Sequence, residues 1–422
     1  MQNSRFFEPT RAAALTRLNA FVPLAGRLYA AKRNMDGGAD QRGNVSVLSP
    51  YVRHRLITEE EVLLAVLAKH TASAAEKFIQ EVFWRTYFKG HLETHPMIWS
   101  NYITARDDKI SNIGQYNGYE HAIEANAGID CFDAWVTELR ETGYLHNHAR
   151  MWFASIWIFT LRLPWELGAD FMFRNLLDGD PASNTLSWRW VGGLHTKGKT
   201  YLARADNIKT YTEGRFNPKG LANTASTLEE SPIASAKLLR AAENTFPSGR
   251  LGLLLTEEDM RPESLDQGNA EVVAIAGATR AGARSPLEIS KHVHTFTSGA
   301  MADALKSASG SFGAPFETLQ ALSALDVESW ARKYKVDTVA TAYAPVGPTA
   351  TALTDITKHL QSKGIRLVEV RRDFDTLAWP HGTRGFFGMK DKIPNLLRTL
   401  RIGPDTDDSQ LPLFSTGNNP NA

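Results

Sequence analysis

The sequence predicts two successive domains, a helical one followed by an α/β one with a parallel sheet. At 422 residues the chain exceeds the usual size of a single domain. Apolar residues recur at helical spacing in the first half, whereas short apolar runs alternate with helical patterns in the second. Tryptophan is also unevenly distributed: of 10 tryptophans, only Trp330 and Trp379 lie beyond residue 200. The halves are therefore expected to differ in structure and in role.

Three segments of the first half carry the helical pattern. They are FIQEVFWRTYFKGHL at residues 78–92, an aromatic run at 151–163, and residues 165–177, which follow Pro164. Alternating β-branched runs are scarce in this half. We therefore expect an all-helical domain over residues 1–245.

Four short apolar runs in the second half are predicted strands. They are residues 251–255, 272–275, 336–342 and 366–370, and helical patterns occupy 286–305, 315–334, 349–363 and 390–400. Strand–helix alternation implies a parallel sheet flanked by helices. We place the junction near residues 246–249 and the second domain at 249–402. The polar tail at 403–422 is expected to be disordered.

Bulk composition excludes several classes of protein. The formal net charge is +1, so any basic surface for nucleic acid must be local. Cys131, the only cysteine, can form no internal disulfide and no Cys-based metal site. No apolar run reaches membrane-spanning length, and the N-terminus lacks the apolar core of a signal peptide. We expect a cytoplasmic monomer without a membrane segment.

Four polar clusters stand out in the helical half. They are Ser46 and Ser49; Glu81 and Arg85; His146, Asn147, His148, Arg150 and Met151; and Asp178, Asp180 and Asn184. Each has an ordinary structural explanation. The first and last could be helix caps and the second a surface ion pair. The H-x-H of the third is too sparse to indicate a metal site.

Taken together and in this order, the clusters resemble the flavin-binding domain of the photolyase and cryptochrome family. The resemblance covers roughly residues 6–240 and begins with a helix leading to Tyr29. Its motifs are the phosphate loop Val45-Ser46-Val47-Leu48-Ser49-Pro50, where Val45 replaces the family's Thr; E-x-x-W-R at Glu81, Trp84 and Arg85; H-N-x-x-R-M at His146, Asn147, Arg150 and Met151; D-G-D-x-x-x-N at Asp178, Gly179, Asp180 and Asn184; and Phe216-Asn217-Pro218. Chance does not explain so many long, aromatic-rich matches.

The resemblance implies a folded-back FAD. The cofactor-binding residues it carries over are Tyr29, Ser46, Val47, Leu48, Ser49, Glu81, Arg85, Asn147, Arg150, Asp178, Asp180 and Asn184. A reduced, anionic flavin needs a nearby cation, which Arg150 paired with Asp178 would supply. Asn184 would face the flavin N5 and hydrogen-bond there without forcing protonation. The hydroxyl and backbone N–H groups of the phosphate loop suit a pyrophosphate.

The resemblance also implies electron transfer to photoexcited flavin along tryptophans. Trp188 and Trp165 match the proximal and middle members of the family's chain of three. The distal position falls on Asn112. Either Tyr116 or Trp157 is the last electron carrier instead, or photoreduction is slow. For each tryptophan, core packing is the alternative explanation.

The second half resembles the family's other domain, but in reversed order. Residues 249–261 resemble the first strand and following loop of that domain, and residues 330–397 resemble its end. In the family this α/β domain precedes the flavin domain. We therefore infer a circular permutation, with a Rossmann-like, antenna-type α/β domain placed second. The sequence GATRAG at residues 277–282 is not a dinucleotide-binding motif. Whether the domain binds an antenna chromophore stays open.

Light-driven DNA repair is the favoured function. In this lyase reaction, excited FADH⁻ donates an electron to a pyrimidine dimer flipped out of DNA, and the dimer splits. The resemblance places Glu81, Asn147, Met151 and Trp190 at the lesion as catalytic residues. It makes Trp84, His148, Lys197, Lys199, Arg204 and Arg215 candidate DNA contacts.

Three departures from photolyases favour a different function. His148 stands in place of Arg, Phe78 in place of Trp, and residues 200–214 are an insertion that could cover the cavity mouth. They favour a cryptochrome-like blue-light photoreceptor that signals to a protein partner by flavin redox change. A flavoprotein without photochemistry is a third class. Repair is preferred because the four lesion-pocket residues are retained.

Overall fold

The computed structural model describes residues 6–403, and nearly all of the tail predicted at 403–422 lies outside them. Helices make up the first part: α1 Arg11–Phe21, α2 Arg27–Lys32, α3 Ser49–Arg53, α4 Glu59–Leu67, α5 Glu76–Thr94, α6 Met97–Ser111, α7 Tyr119–Ile123, α8 Asp130–Thr142, α9 Asn147–Ser155, α10 Trp165–Asn175, α11 Pro181–Val191 and α12 Ala205–Tyr211. A π-helical turn at Ile156–Thr160 extends α9. In the described part of the chain, no helix has the length and apolar character needed to cross a membrane.

The second part is a five-stranded parallel sheet covered by helices. Its elements are β1 Gly249–Thr256, β2 Ala270–Ala278, α13 Lys291–Phe312, β3 Phe316–Thr318, α14 Ala324–Lys333, β4 Thr338–Ala342, α15 Pro348–Ser362, β5 Arg366–Val370, α16 Asp373–Ala378, α17 Phe386–Lys390 and α18 Ile393–Thr399. The strand order is β3-β2-β1-β4-β5, with every pair parallel. The predicted fold class, helices followed by a parallel α/β sheet, is therefore confirmed.

One predicted element is wrong over part of its length. Residues 315–334 were expected to be helical throughout, but β3 occupies Phe316–Thr318 and α14 begins only at Ala324. β3 is a three-residue edge strand that pairs with β2 alone, and it is mostly exposed. So short an exposed strand leaves no periodic signal in the sequence. The division of the chain into domains at residues 245 and 249 stays a prediction.

Local sequence explains where the helices nearest the polar clusters begin. Thr58 and Glu61 form a reciprocal capping box at the start of α4. Pro164 precedes α10, and Pro181 is the first residue of α11, where its fixed φ suits a helix start. These starts fix the register with which α4, α10 and α11 present their polar side chains.

The two halves pack together along α5. Glu93 accepts hydrogen bonds from the Tyr343 hydroxyl (2.5 Å) and the Val346 amide (2.5 Å). Gly90 lies so close to Trp379 that a Cβ atom there would stand 2.7 Å from the Trp379 carbonyl oxygen. One hydrophobic core contains side chains of both halves, including Phe83 and Phe374. The α/β half thus covers one face of α5, and the opposite side of that helix meets α11.

Acid is expected to destabilise this packing through two half-buried histidines. Burial lowers the pKa of His91 to about 4 and that of His195 to about 3. A histidine in the unfolded chain has a pKa of about 6.5, so below that pH the unfolded chain binds more protons than the folded one. The free energy of unfolding therefore falls as the pH drops from about 6.5 towards 4. We expect a loss on the order of 1–2 kcal/mol per histidine between pH 7 and 5 in urea unfolding. His195→Gln should flatten this dependence, and an unchanged slope would contradict the assignment.

Candidate functional site

The Leu176–Asp180 loop, between α10 and α11, lies between two arginines from different helices. Arg150 of α9 donates from Nη2 to Asp178 Oδ2 at 2.8 Å. Arg85 of α5 donates from Nη1 to Asp180 Oδ2 at 3.2 Å. Residues from three helices and more than 90 positions apart in sequence thus meet around one short loop.

Arg150 forms a half-exposed ion pair with a buried carboxylate. Its guanidinium also donates to the Leu145 carbonyl (3.0 Å) and lies over the Tyr144 ring. The pair keeps the pKa of Arg150 above its usual value against the opposing effect of burial. Asp178 Oδ1 is buried and has no hydrogen-bond partner. This cation is therefore fixed in place, and beside it a buried acceptor lacks a donor.

Asp180 caps a helix, which is one of the two roles that the sequence left open, and its contact with a cofactor stays a prediction. Its Oδ1 caps α11 by accepting from the Ser183 amide at 2.8 Å. Its Oδ2 faces three cations: Arg85 at 3.2 Å, Lys89 at 3.7 Å and Arg53 at 3.9 Å. These charges, Arg85 foremost, hold the pKa of Asp180 well below its usual value although burial opposes them. Asp180 is a fixed anion that anchors the start of α11.

Asn184 lies one turn into α11 and is nearly buried. Its Nδ2 donates to the Ala169 carbonyl of α10 at 2.9 Å. With the amide nitrogen engaged in this way, the side-chain oxygen is the end that remains to accept a hydrogen bond. The side chain is therefore held as an acceptor beside the loop.

We infer a recess from the partial accessibility of four predicted site residues, Glu81 of α5, Asn147 and Met151 of α9 and Trp190 of α11. Glu81 pairs with Arg33 at 2.6 Å, and the two side chains keep 31% and 24% of their surface accessible. Burial nevertheless raises the pKa of Glu81. Partial access combined with strong desolvation is typical of a concave surface. Asn147 is exposed, and Met151 and Trp190 are half-buried.

The surface ion pair considered for Glu81 and Arg85 does not form. Arg85 binds Asp180 and Glu59 instead, and it also donates to the last carbonyls of α3, those of Val52 and Arg53. Glu81 and Arg85 therefore bind different partners.

The predicted phosphate loop leads directly into α3. Val47 has a left-handed φ of 53°, and the Leu48 amide donates to Ser46 Oγ at 3.4 Å. Ser49 is exposed and begins α3, whose last carbonyls Arg85 contacts. The loop is thus tied to the same arginine as Asp180. Its contact with a pyrophosphate stays a prediction.

Tyr29 lies in an aromatic cluster at the edge of this region. Its ring meets Phe78 edge-on at 5.3 Å and Phe21 at 5.7 Å, and only 8% of the residue is accessible. Phe78, one of the departures from photolyases, therefore packs against a residue expected to bind cofactor. That role of Tyr29 stays a prediction.

The predicted electron carriers are both buried. Trp188 of α11 is 2% accessible and Trp165 of α10 is 9% accessible. Trp157 lies against Trp188, with ring centroids 6.2 Å apart and planes at 90°. Gly168 permits this approach, because a Cβ there would lie 2.3 Å from Trp188 and 2.8 Å from Trp157. Of the two candidates for a third carrier, Tyr116 and Trp157, Trp157 is thus the one seen against Trp188.

Two predicted DNA contacts already pack against other residues of this protein. Trp84 stacks on Phe386 of α17, with ring centroids 3.7 Å apart and planes at 11°. His148 stacks on Trp152 at 4.0 Å and meets the Asn34 carbonyl. The insertion at 200–214 contacts His148 through the Tyr201 hydroxyl (3.3 Å).

The predicted basic contacts differ in accessibility. Lys197 and Lys199 are exposed in the turn after α11, and Arg204 is exposed and pairs with Asp206. Arg215 instead binds the buried carboxylate of Asp36 at 2.8 Å. The first three side chains are free to meet a phosphate backbone, whereas Arg215 first supports the fold.

Four charged residues around the site were not predicted from the sequence. Arg53 and Lys89 face Asp180, Glu59 pairs with Arg85, and Arg33 pairs with Glu81. Lys89 Nζ is buried without a hydrogen-bond partner, and burial lowers its pKa to about 8. Its spacing of four residues from Arg85 was the one available signal, since such residues share a helix face.

Gly179→Ala is expected to destabilise the protein. A Cβ at Gly179 would lie 2.6 Å from Arg284 Nη1, 2.8 Å from the Phe173 carbonyl oxygen and 3.1 Å from that of Leu176. Forcing these groups apart should cost about 1–3 kcal/mol in the free energy of unfolding. Gly43→Ala, where a Cβ would meet nothing within 4 Å, is the control. Equal urea midpoints for the two variants would contradict this.

The residues of the recess fit an isoalloxazine ring. Asp178 Oδ1 is a buried acceptor without a donor, the Nδ2 hydrogen bond of Asn184 leaves its oxygen as the end that can accept, and Arg150 supplies positive charge. A reduced flavin presents N–H donors and carries negative charge, so the two sets are complementary. Within residues 6–403, no group of three or more His, Cys, Asp or Glu side chains is arranged to hold a metal ion.

Comparison with known proteins gives a consistent result. The FAD-binding domain of DNA photolyase matches residues 78–221. The deoxyribodipyrimidine photo-lyase of Thermus thermophilus is 32% identical over 216 residues, covering 50% of this chain and 49% of the relative. That of Streptomyces griseus is 29% identical over 188 residues, covering 41% and 40%. A class III photolyase structure from Agrobacterium tumefaciens aligns at 25% identity with a TM-score of 0.41, covering 48% of this chain and 43% of that one.

The chain spans about half the length, or less, of the curated relatives that it matches. An FAD-binding domain of the photolyase type is present, and it precedes the parallel sheet. That order is consistent with the permutation inferred from the sequence.

Proposed function

We propose that this chain, which belongs to the photolyase/cryptochrome family, binds FAD and uses blue light to split pyrimidine dimers in DNA. The observation that carries the proposal is the Arg150–Asp178 pair at 2.8 Å, on the loop that leads into α11, the helix of Asn184. Bound FAD, once reduced and excited by light, would donate one electron to the dimer and regain it after the dimer has split.

The residues of the chain would bind and orient the reactants. Arg150 would stabilise negative charge on the reduced ring, and the Asn184 oxygen would accept a hydrogen bond from it. Glu81, whose pKa burial raises, would donate or accept a proton at the base of a flipped nucleotide. Met151 and Trp190 would contact the apolar faces of the lesion bases.

The direct test is repair under illumination. We expect the purified protein to show flavin absorbance and, with a reductant and blue light, to restore oligonucleotides that contain cyclobutane or (6-4) dimers. A preparation that never binds flavin would exclude both this function and photoreception. Flavin that photoreduces without any repair would exclude repair of the lesions used.

Glu81→Gln is expected to lower the repair rate by about tenfold, because a hydrogen bond from a charged group contributes about 1.5–3 kcal/mol. Glu76→Gln is the matched control. It lies on the same helix and contacts Gln80 and Lys390 rather than the recess. Equal rates for the two variants in a single-turnover assay would remove Glu81 from the lesion pocket.

A second candidate function, blue-light signalling to a protein partner, has a specific observation in its favour. Phe386 already stacks on one face of Trp84, a predicted DNA contact, and the insertion at 200–214 contacts His148. A protein that never admits a base could keep both contacts permanently. Photoreduction with no binding of dimer-containing DNA would support this candidate over repair.

A further inference from the structure

Two buried arginines donate hydrogen bonds to the backbone of the loop at residues 176–180. Arg53 donates from Nε to the Gly179 carbonyl at 2.8 Å. Arg284, in the α/β half, donates from Nη1 to the Leu176 carbonyl at 2.7 Å and to that of Phe173 at 3.2 Å. Both arginines are only 1% accessible. The backbone of the loop therefore depends on guanidinium groups for its buried hydrogen bonds.

Carboxylates of the α/β half hold these arginines in turn. Glu258, just after β1, accepts hydrogen bonds from both terminal nitrogens of Arg53, at 2.8 and 2.9 Å. Glu257 lies 4.0 Å from Arg53, and it also attracts Arg284 electrostatically. Thr349 donates to Glu258 at 3.2 Å, which fixes that carboxylate from α15. Two planar hydrogen bonds define the orientation of Arg53 strictly.

We propose that Glu258 and Arg284 are positioning residues for the flavin site. Through them the α/β half fixes the position of the loop that carries Asp178 and Asp180. The inference rests on the proposed binding of FAD. Arg284 bonds the loop directly, and Glu258 acts through Arg53. Because Asp178 is part of this loop, its distance from Arg150 depends on both contacts. Gly179, which leaves no room for a Cβ against Arg284, makes the close approach possible.

The alternative is that these contacts only join the two halves of the chain. A matched control separates the two cases. Glu93 is also a buried carboxylate between the halves, but it binds Tyr343 and Val346 and none of residues 176–180. Glu258→Gln and Glu93→Gln each remove one buried charge from the junction, so a purely structural effect should be common to both.

The experiment measures FAD affinity by fluorescence titration, the reduction potential of bound FAD, and urea unfolding of the cofactor-free protein. We expect Glu258→Gln to weaken FAD binding by about tenfold, the lower end of what loss of an outer partner costs at metal sites. Its potential should move towards that of free FAD. Glu93→Gln should keep the affinity and potential of the wild-type protein, even where its urea midpoint falls equally.

Arg284→Lys provides a milder second variant, because it keeps a charge but loses the planar fork. If Glu258→Gln fails to fold, Arg284→Lys should still weaken FAD binding and move the potential in the same direction. Wild-type affinity and potential in a folded Glu258→Gln or Arg284→Lys variant would overturn the inference while leaving FAD binding intact. A wild-type protein that binds no FAD would overturn the proposed function, and this inference with it.

Discussion

Replacing Arg55 with methionine is expected to remove about 3–5 kcal/mol from the free energy of unfolding, the cost of breaking a buried ion pair by deleting one partner. Arg55 donates to both oxygens of Asp375 at 2.7 Å and contacts Asp259 at 3.3 Å and Glu59 at 3.2 Å. All four side chains are at most 4% accessible. The substitution would leave three buried carboxylates short of a cation.

The control is Arg332→Met, which removes an exposed arginine paired with Glu328 one helical turn away. Such surface pairs contribute about 0–1 kcal/mol, so its unfolding curve should nearly match that of the wild-type protein. Because Arg55 joins α4 to α16 and the loop after β1, Arg55→Met should weaken both halves together. A loss under ~1 kcal/mol for Arg55→Met would contradict the role of this cluster.

Periodicity predicted much of the fold. The runs 251–255 and 366–370 became β1 and β5, and residues 78–92 lie within α5. The helix α5 is long, and both strand runs are short stretches rich in apolar residues, so their signal is local. The exposed edge strand β3 has three residues and carries no such signal. How the halves pack was also beyond prediction, because the contact of Trp84 with Phe386 joins residues about 300 positions apart.

The motifs predicted the centre of the site but not its support. The Arg150–Asp178 pair was expected from the resemblance, and the structure brings the two side chains together. Nothing in the sequence pairs Arg53 with Glu258, which are separated by 205 positions. Such pairs form because a charge buried in a packed interface needs an opposite charge nearby. Sequence spacing carries no information about them.

Arg150→Met is expected to weaken FAD binding by about 10- to 100-fold, since a hydrogen bond to a charged group contributes about 1.5–3 kcal/mol. The side chain is 25% accessible, so its charge is available to a ligand. Fluorescence titration with FAD measures the effect. Affinity equal to that of the wild-type protein would remove Arg150 from the cofactor site.

The same substitution also leaves Asp178 buried without its cation, which should cost about 1–3 kcal/mol in the cofactor-free protein. A double variant separates the two effects. Arg150→Met with Asp178→Asn removes the unpaired charge, so urea stability should largely return while FAD affinity stays low. If FAD affinity returned together with stability, the pair would act only on the fold, and the positive charge would have no part in holding the cofactor.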